Sequence, residues 1–310
     1  MRAEIASWAP IGLFVYKRPE HVRRTIVSLL ACEGAGFSPI HVFADGPKSD
    51  SDAAAVQATR AVTHELLGER AVYVERERNL GLANSIIAGT AELCDRYGRA
   101  IVVEDDLVLA SSFLHFLNAG LERYAEEPQV MQVSGYMFVV PVLKESQEAL
   151  LLPLTTSWGW ATWKRAWDLF DPLAIGWQED LADPARKRSF NIGGRHDYVR
   201  LLKRQMRGEL DSWAIRWYYS VFSHGGLVLF PPRTLVRNRG LDASGTHDRL
   251  ALPANQGPLV MIPPIDLPTA IAESRYAAQV FEASAGFRAA SASQRIAAYL
   301  DLVRRRVGLK

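Results

Sequence analysis

Short apolar runs alternate with segments of helical periodicity in the first third of the chain. Four runs of strand length cover residues 11–16, 40–44, 71–74 and 101–103. Between them, apolar residues recur every three or four positions, a spacing typical of helices that bury one face. The predicted helices begin near Pro19 and cover about residues 53–67 and 82–97. Strands that alternate with helices in this way predict βαβ units. The chain is therefore expected to adopt an α/β fold with a mostly parallel twisted sheet flanked by helices.

The pattern becomes less regular in the second half. All tryptophans except Trp8 lie between Trp158 and Trp217, and the alternation of strands and helices is no longer clear. We interpret this part as a continuation of the sheet with an added binding region. At the end of the chain, residues 293–310 place their apolar positions on one helical face, which predicts a C-terminal helix that carries the basic run 304–306.

The composition is that of an ordinary globular protein. The 310 residues include 48% hydrophobic and 23% charged residues, and the net charge of +2 gives no reason to expect a nucleic-acid partner. The two cysteines, Cys32 and Cys94, lie in apolar helical patterns and predict no disulfide framework. Without an evident secretory signal or an apolar stretch of roughly 18 residues, the sequence favours a soluble cytoplasmic protein.

Three consecutive acidic residues follow the predicted strand at 101–103: Glu104, Asp105 and Asp106. Open α/β sheets bind their ligands at the carboxyl ends of the strands. Crowded carboxylates repel one another unless a cation joins them, and a hard divalent metal bound to a substrate diphosphate would supply that charge. The alternative is a solvated acidic turn that caps the following helix.

An ordered set of motifs surrounds this triplet. The segments are IGLFVYKRPEHVRRTIVSL, FADGP, NLGLANSI, VVEDDLVLASSFLHF, SWGW, LDSW and GTH, which together span about residues 10–248. In this order they resemble the N-acetylglucosaminyltransferase I group of the glycosyltransferases with the GT-A fold, close to family 2. The resemblance implies a Rossmann-like GT-A sheet with an acceptor-side C-terminal region. It also implies metal-dependent, inverting transfer of a sugar from a UDP-sugar to a hydroxyl group, with UDP-N-acetylglucosamine as one candidate donor.

The resemblance also implies a division of the chain. Residues 1–135 would form the nucleotide-sugar-binding half of one domain, residues 136–250 its acceptor-binding and catalytic half, and residues 251–310 a C-terminal extension with a helix. The expected acceptor is a saccharide or a lipid-linked saccharide of cell-surface polysaccharide assembly. The basic C-terminal helix could bring the protein to the cytoplasmic face of the inner membrane, or it is an ordinary helix with a solvated charged face.

The resemblance assigns metal and nucleotide roles near the strand ends. Asp106 would be the direct ligand of Mn²⁺ or Mg²⁺, and Glu104 and Asp105 would face the sugar and ribose hydroxyls. Asp45 would accept the N3–H of uracil, although Asp-Gly-Pro is also a favourable turn. Arg18 would lie near the nucleotide, or it forms a surface salt bridge.

Further donor contacts are expected from a helix start and from a glycine-containing segment. Asn84 lies where helix N–H groups could face ribose or phosphate. Arg237 and Arg239 precede Gly240 and could bind the diphosphate when this segment closes over it. His247 is a candidate second metal ligand, and a solvated loop histidine is the alternative.

The catalytic assignment rests on Asp211 in the LDSW segment. In an inverting transfer one carboxylate removes the proton from the acceptor hydroxyl, and no second acid is required if a metal stabilises the leaving diphosphate. The alternative is an aspartate at a helix N-terminus. Trp158 and Trp160 could stack on a sugar ring or pack in the core, and Trp160 is the candidate for the donor or acceptor pocket. Trp163 and Trp167 are predicted to be core residues.

Two other functions compete with this assignment. A sugar-nucleotide pyrophosphorylase would need a glycine-rich loop after the first strand, and that position reads VYKRPEHV, without glycine. A non-catalytic carbohydrate-binding protein would fit the tryptophan-rich second half. Such a protein would have no need of the acidic triplet beside a nucleotide pocket.

Overall fold

The structure is a computed structural model that describes residues 5–241, 256–259 and 265–288. The strands in this part of the chain are β1 Ile11–Val15, β2 Ile40–Ala44, β3 Ala71–Glu75, β4 Arg99–Glu104, β5 Leu107–Leu109, β6 Val130–Ser134, β7 Leu150–Leu152, β8 Trp160–Trp163, β9 Leu227–Phe230 and β10 Val236–Asn238. The α-helices are α1 Pro19–Leu30, α2 Asp50–Leu67, α3 Leu82–Tyr97, α4 Phe113–Arg123, α5 Lys164–Trp167, α6 Trp177–Asp180, α7 Pro184–Phe190, α8 Tyr198–Met206, α9 Trp213–Ser223 and α10 Ala277–Arg288.

Eight of these strands form one sheet, in the order β3-β2-β1-β4-β8-β6-β9-β7. The pairs β3-β2, β2-β1, β1-β4 and β6-β9 are parallel, and β8 and β7 run antiparallel to their neighbours. Strands β5 and β10 form a separate antiparallel pair. The predicted α/β class, with a mostly parallel sheet and flanking helices, is confirmed.

The apolar pattern of the strands explains why helices cover both faces of the sheet. Consecutive side chains of a strand point to opposite faces, and Leu13 and Phe14 accordingly belong to two different buried clusters. The first cluster includes α1 and α4, and the second includes α3 and α9. Trp163 and Trp167 are buried as predicted.

The predicted helices of the first half agree closely with the structure. Helix α3 has the predicted bounds, and α1 begins at Pro19, whose missing N–H is not needed in a first turn. Helix α2 begins at Asp50 rather than residue 53, because Asp50 and Asp52 interact favourably with the positive end of the helix dipole. The predicted C-terminal helix and its basic run at 304–306 lie outside the described residues. Among the described helices, none has both the length and the apolar character that a membrane crossing requires.

Candidate functional site

The acidic triplet meets Arg18 at the carboxyl ends of β1 and β4. These strands are parallel neighbours, and Phe14 is paired with Glu104, so the residues that follow each strand lie side by side. The Arg18 guanidinium donates hydrogen bonds to Asp105 and, at 3.0 Å, to Asp106 Oδ2. Arg18 therefore bridges two of the acids in a partly buried cluster and does not form a surface salt bridge.

The cluster carries more carboxylates than cations. Burial raises the pKa of Glu104 to about 8, with further increases from Asp106 and Asp105, and Arg18 offsets only part of this. Burial also raises the pKa of Asp105, against the attraction of Arg18. Both shifts arise because charged carboxyl groups are unfavourable when buried close together. A bound cation would relieve this repulsion.

The predicted closing segment lies against Asp106. Pairing of β10 with β5 places Arg239 so that its backbone N–H donates to the Asp106 carbonyl oxygen at 2.8 Å. Gly240 follows, and a Cβ on it would lie 2.1 Å from Asp106 Oδ2 and 2.8 Å from Arg18 Nη1. Only glycine allows the backbone to approach the two charged groups this closely. The Arg239 side chain is exposed, and Arg237 donates to the Gly257 carbonyl at 2.7 Å.

Asp45 organises the loop before α3. Its carboxylate accepts three backbone N–H groups, from Gly46 at 3.0 Å, Leu80 at 2.9 Å and Gly81 at 3.0 Å. A carboxylate has about four lone-pair directions, so a bond to a nucleotide base would use the remaining one. The structure thus gives Asp45 a turn-stabilising function, and its contact with uracil stays a prediction.

Asn84 lies on the exposed side of the first turn of α3. Its amide donates to the Leu80 carbonyl at 3.0 Å, which fastens the helix start to the loop organised by Asp45. The predicted contact of Asn84 with ribose or phosphate stays a prediction.

Asp211 is positioned close to the same loop. Its side chain is 59% exposed and lies 3.9 Å from Arg216 Nη2. A Cβ on Gly81 would be 3.6 Å from Asp211 Oδ2, so Asp211 borders the start of α3. The N-cap of α9 is Ser212, whose hydroxyl accepts the Ile215 N–H at 3.5 Å. The cap is therefore supplied by the serine, and Asp211 is left with an exposed carboxylate.

The prediction that Trp160 stacks on a sugar is wrong. Its side chain is completely buried, with ring centroids 5.0 Å from Trp213, 5.8 Å from Trp167 and 6.3 Å from Trp217. Because other tryptophans surround its ring, Trp160 packs in the core, which was the alternative prediction. Trp158, two residues earlier, is only partly buried.

Trp158 lines a cavity of about 170 Å³ in the second half of the chain. The cavity walls combine aromatic rings with hydroxyl and imidazole groups, a combination that suits a sugar. Polar and aromatic residues of the wall include Tyr136, Thr156, Trp158, His196, Tyr198 and Ser212. Ser212 connects this wall directly to Asp211. Tyr136, His196 and Tyr198 could not be identified from the sequence, because no motif or spacing links them.

Replacement of Trp160 by alanine is expected to lower the free energy of unfolding by about 3–5 kcal/mol, since it empties a buried site of tryptophan size. Trp158→Ala is the matched control, because this side chain is partly exposed at a cavity and its removal should cost less. Denaturant unfolding of both variants measures the difference. Equal losses would contradict the distinct environments of the two rings.

The residues present fit a divalent cation that takes most of its ligands from a substrate. Among the residues that the structure describes, no group of three His, Cys, Asp or Glu side chains could hold a metal. Mg²⁺-type sites, however, commonly use one or two carboxylates together with substrate phosphates and water. Asp106, in a cluster with surplus carboxylates, meets that need. His247 lies outside the described residues, and its metal role stays a prediction.

Solved structures of other proteins are similar in fold to this chain. No family model matches the chain. A solved structure of GalNAc-T7 with UDP, GalNAc and Mn²⁺ is similar over 73% of this chain, with 12% sequence identity and a TM-score of 0.45. The aligned part spans 43% of that protein's length. A likeness of this degree defines neither a family nor an activity.

Proposed function

We propose that this protein is a metal-dependent glycosyltransferase that moves a sugar from a UDP-sugar to a hydroxyl of a saccharide or glycolipid acceptor. One observation carries the proposal: Arg18, Asp105 and Asp106 form a partly buried charged cluster at the carboxyl ends of the parallel strands β1 and β4, in contact with the backbone at Gly240. Ligands of open α/β sheets bind at this edge. A diphosphate with its cation matches the charge pattern there.

Each residue of the cluster has a part in donor binding. Asp106 would hold the cation, and Glu104 and Asp105 would accept hydrogen bonds from the sugar and ribose hydroxyls. Arg18 positions Asp105 and Asp106 through its two hydrogen bonds. When bound, the cation would stabilise the negative charge of the leaving diphosphate. Arg237 on β10 and Arg239 just after it would supply cations for the phosphates.

Asp211 would act as the general base. Its exposed carboxylate lies beside the loop that Asp45 organises, and Ser212 next to it lines the cavity. An acceptor in that cavity would present its hydroxyl to Asp211, which removes the proton as the oxygen attacks the anomeric carbon. One carboxylate is enough for an inverting transfer. We place the enzyme in cytoplasmic assembly of cell-surface polysaccharide, with a hexosyl or N-acetylhexosaminyl donor.

A non-catalytic carbohydrate-binding protein is the second candidate. The aromatic cavity beside Trp158 favours it, since rings such as Trp158 and Tyr136 can stack on sugars without any chemistry. This candidate requires the cavity alone and gives the Arg18 cluster no function.

Calorimetric titration with a panel of nucleotide sugars tests the proposal. Binding of one UDP-sugar that needs Mn²⁺ and disappears with chelator is the expected result. Free sugars, titrated in the same way, are the control for the second candidate. Binding of free sugars with no response to any nucleotide sugar would replace the enzyme by the carbohydrate-binding protein.

Gly240→Ala should weaken metal-dependent binding of UDP by about tenfold or more, because its Cβ would displace Asp106 and Arg18. The displaced atoms are side-chain ends that can move, so the free energy of unfolding should fall by only about 1–3 kcal/mol. Gly36→Ala is the control, since a Cβ there meets nothing within 4 Å. Unchanged UDP affinity in Gly240→Ala would show that the close contact of the Gly240 backbone with Asp106 and Arg18 is not needed for UDP binding.

A further inference from the structure

The segment from α7 through α8, residues 184–207, concentrates positive charge on the surface. Its only acidic residue is Asp197, whereas the net charge of the whole chain is +2. The exposed basic residues of this segment are Arg186, Lys187, Arg188, Arg195, Arg200, Lys203, Arg204 and Arg207. We name this set the basic surface. Such local excess of one sign attracts a partner of the opposite charge.

Half of the basic surface has carboxylate neighbours within the protein. Arg186 pairs with Asp180, Arg195 with Glu282, and both Arg204 and Arg207 approach Glu209. The other four have no ion pair within the part of the chain that the structure describes. These four, which we name the unpaired cations, are Lys187, Arg188, Arg200 and Lys203. They are the groups left available for an anionic partner.

The loop between α5 and α6 presents two large aliphatic side chains to water. Leu173 is 65% exposed and Ile175 is 77% exposed, whereas Ala174 between them is completely buried and has φ 45°. A positive φ is unfavourable for alanine. The conformation is held because the Asp171 carboxylate accepts the backbone N–H groups of Leu173 at 2.8 Å and Ile175 at 2.6 Å. The fold thus fixes two apolar side chains outside the core.

The aliphatic loop and the basic surface cover the same small core cluster. Ala174 packs in one cluster with Phe190 of α7 and Leu202 of α8. Helix α8 also supplies Tyr198 and Leu201 to the wall of the cavity. Helix α8 therefore lines the cavity and also carries part of the basic surface, which shares its supporting core with the exposed loop.

This combination of groups selects one kind of partner. Lys and Arg side chains interact with the phosphates of anionic lipids, and exposed aliphatic residues enter the boundary between headgroups and acyl chains. A soluble polyanion would use the cations but would gain nothing from Leu173 and Ile175. The exposed aliphatic pair therefore favours a membrane over a soluble polyanion.

We propose that the basic surface and the loop at Leu173 and Ile175 dock the protein on an anionic membrane. The unpaired cations would bind lipid phosphates, and the two aliphatic side chains would insert at the interface. Docking in this way brings the cavity next to the lipid surface. The further step, that a lipid-linked acceptor enters the cavity from there, rests on the proposed function, whereas the docking itself does not.

Sedimentation of the full chain with lipid vesicles tests the docking. We expect binding to vesicles of phosphatidylcholine mixed with phosphatidylglycerol and much weaker binding to phosphatidylcholine alone. Replacing the four unpaired cations by glutamine should lower the affinity for the mixed vesicles by about 10²-fold or more. Each cation near an anionic surface strengthens binding severalfold. The control removes the same charge elsewhere, through Arg24→Gln, Arg70→Gln, Arg123→Gln and Lys144→Gln.

The aliphatic pair is tested separately. Leu173→Ser with Ile175→Ser should lower vesicle binding by about tenfold or more, whereas Val27→Ser with Phe37→Ser, also exposed apolar residues, should leave it unchanged. Circular dichroism and thermal unfolding verify that each variant is folded.

Two results would overturn the docking proposal. The first is equal binding to neutral and anionic vesicles. The second is binding to heparin as strong as to vesicles, with no effect of the serine pair, which would indicate a soluble polyanion. Nucleotide-sugar binding in solution does not involve these residues, so it reports on the proposed function independently.

Discussion

Asp106→Asn is expected to abolish the Mn²⁺-dependent part of UDP binding, with a loss of about 10²-fold or more in affinity. Substitution of residues that only support a metal ligand already costs about 10–100-fold in metal affinity, and Asp106 is the proposed ligand itself. The amide keeps the shape of the side chain, and its oxygen can still accept the Arg18 hydrogen bond seen at Asp106 Oδ2. The change therefore removes the charge with little disturbance of the cluster.

Calorimetric titration of UDP with Mn²⁺ and with chelator measures this effect. In chelator the variant and the parent protein should bind UDP equally weakly, and Mn²⁺ should strengthen binding only for the parent. Asp180→Asn is the matched control. It also removes the charge of an aspartate that pairs with an arginine, Arg186, but in a different part of the chain. If Mn²⁺ still strengthens UDP binding to Asp106→Asn, another residue holds the metal.

The first half of the fold could be predicted because its strands and helices have clear and different periods. The contact of Arg18 with the triplet follows from the same pattern, since parallel neighbours β1 and β4 end at the same edge. The full bonding of Asp45 could not be foreseen. Two of its three donors, Leu80 and Gly81, lie on a loop 35 and 36 residues away in sequence, and only the folded chain brings them together.

The environments of the tryptophans could not be predicted from spacing. Trp158 and Trp160 are two residues apart, and in a regular strand they would share one face. Gly159 between them has φ 61°, so the chain turns before β8 begins at Trp160. One ring then lines the cavity and the other is buried. The left-handed conformation of Gly159 thus separates two rings that regular alternation would place on the same face.

The basic surface could not be predicted from the overall charge. The net charge of +2 is an average over the chain, and it conceals a segment in which Asp197 is the single acid among many cations. Only the structure shows that the two helices of this segment expose their basic residues and that α8 also lines the cavity. The excess of positive charge in α7 and α8 is visible in the sequence only when charge is counted segment by segment.

Asp211→Asn is expected to leave UDP-sugar binding within about twofold of the parent and to lower turnover by about 10²–10⁴-fold, the usual contribution of a general base. Asp211 is well suited to this separation of effects. Its carboxylate is 59% exposed and does not cap α9, which Ser212 does. The amide should therefore not destabilise the helix, yet it cannot accept the proton of the attacking hydroxyl.

Turnover is measured as release of UDP from the UDP-sugar that calorimetry identifies, with saccharide acceptor and, more slowly, with water. Glu209→Gln is the control: it removes an exposed carboxylate two residues away, beside Arg204 and Arg207, and should keep full turnover. Full turnover in Asp211→Asn would remove Asp211 from the mechanism and leave the donor site intact. Loss of turnover with intact donor binding would assign proton removal to Asp211, because the two variants differ only in which of these two exposed carboxylates is lost.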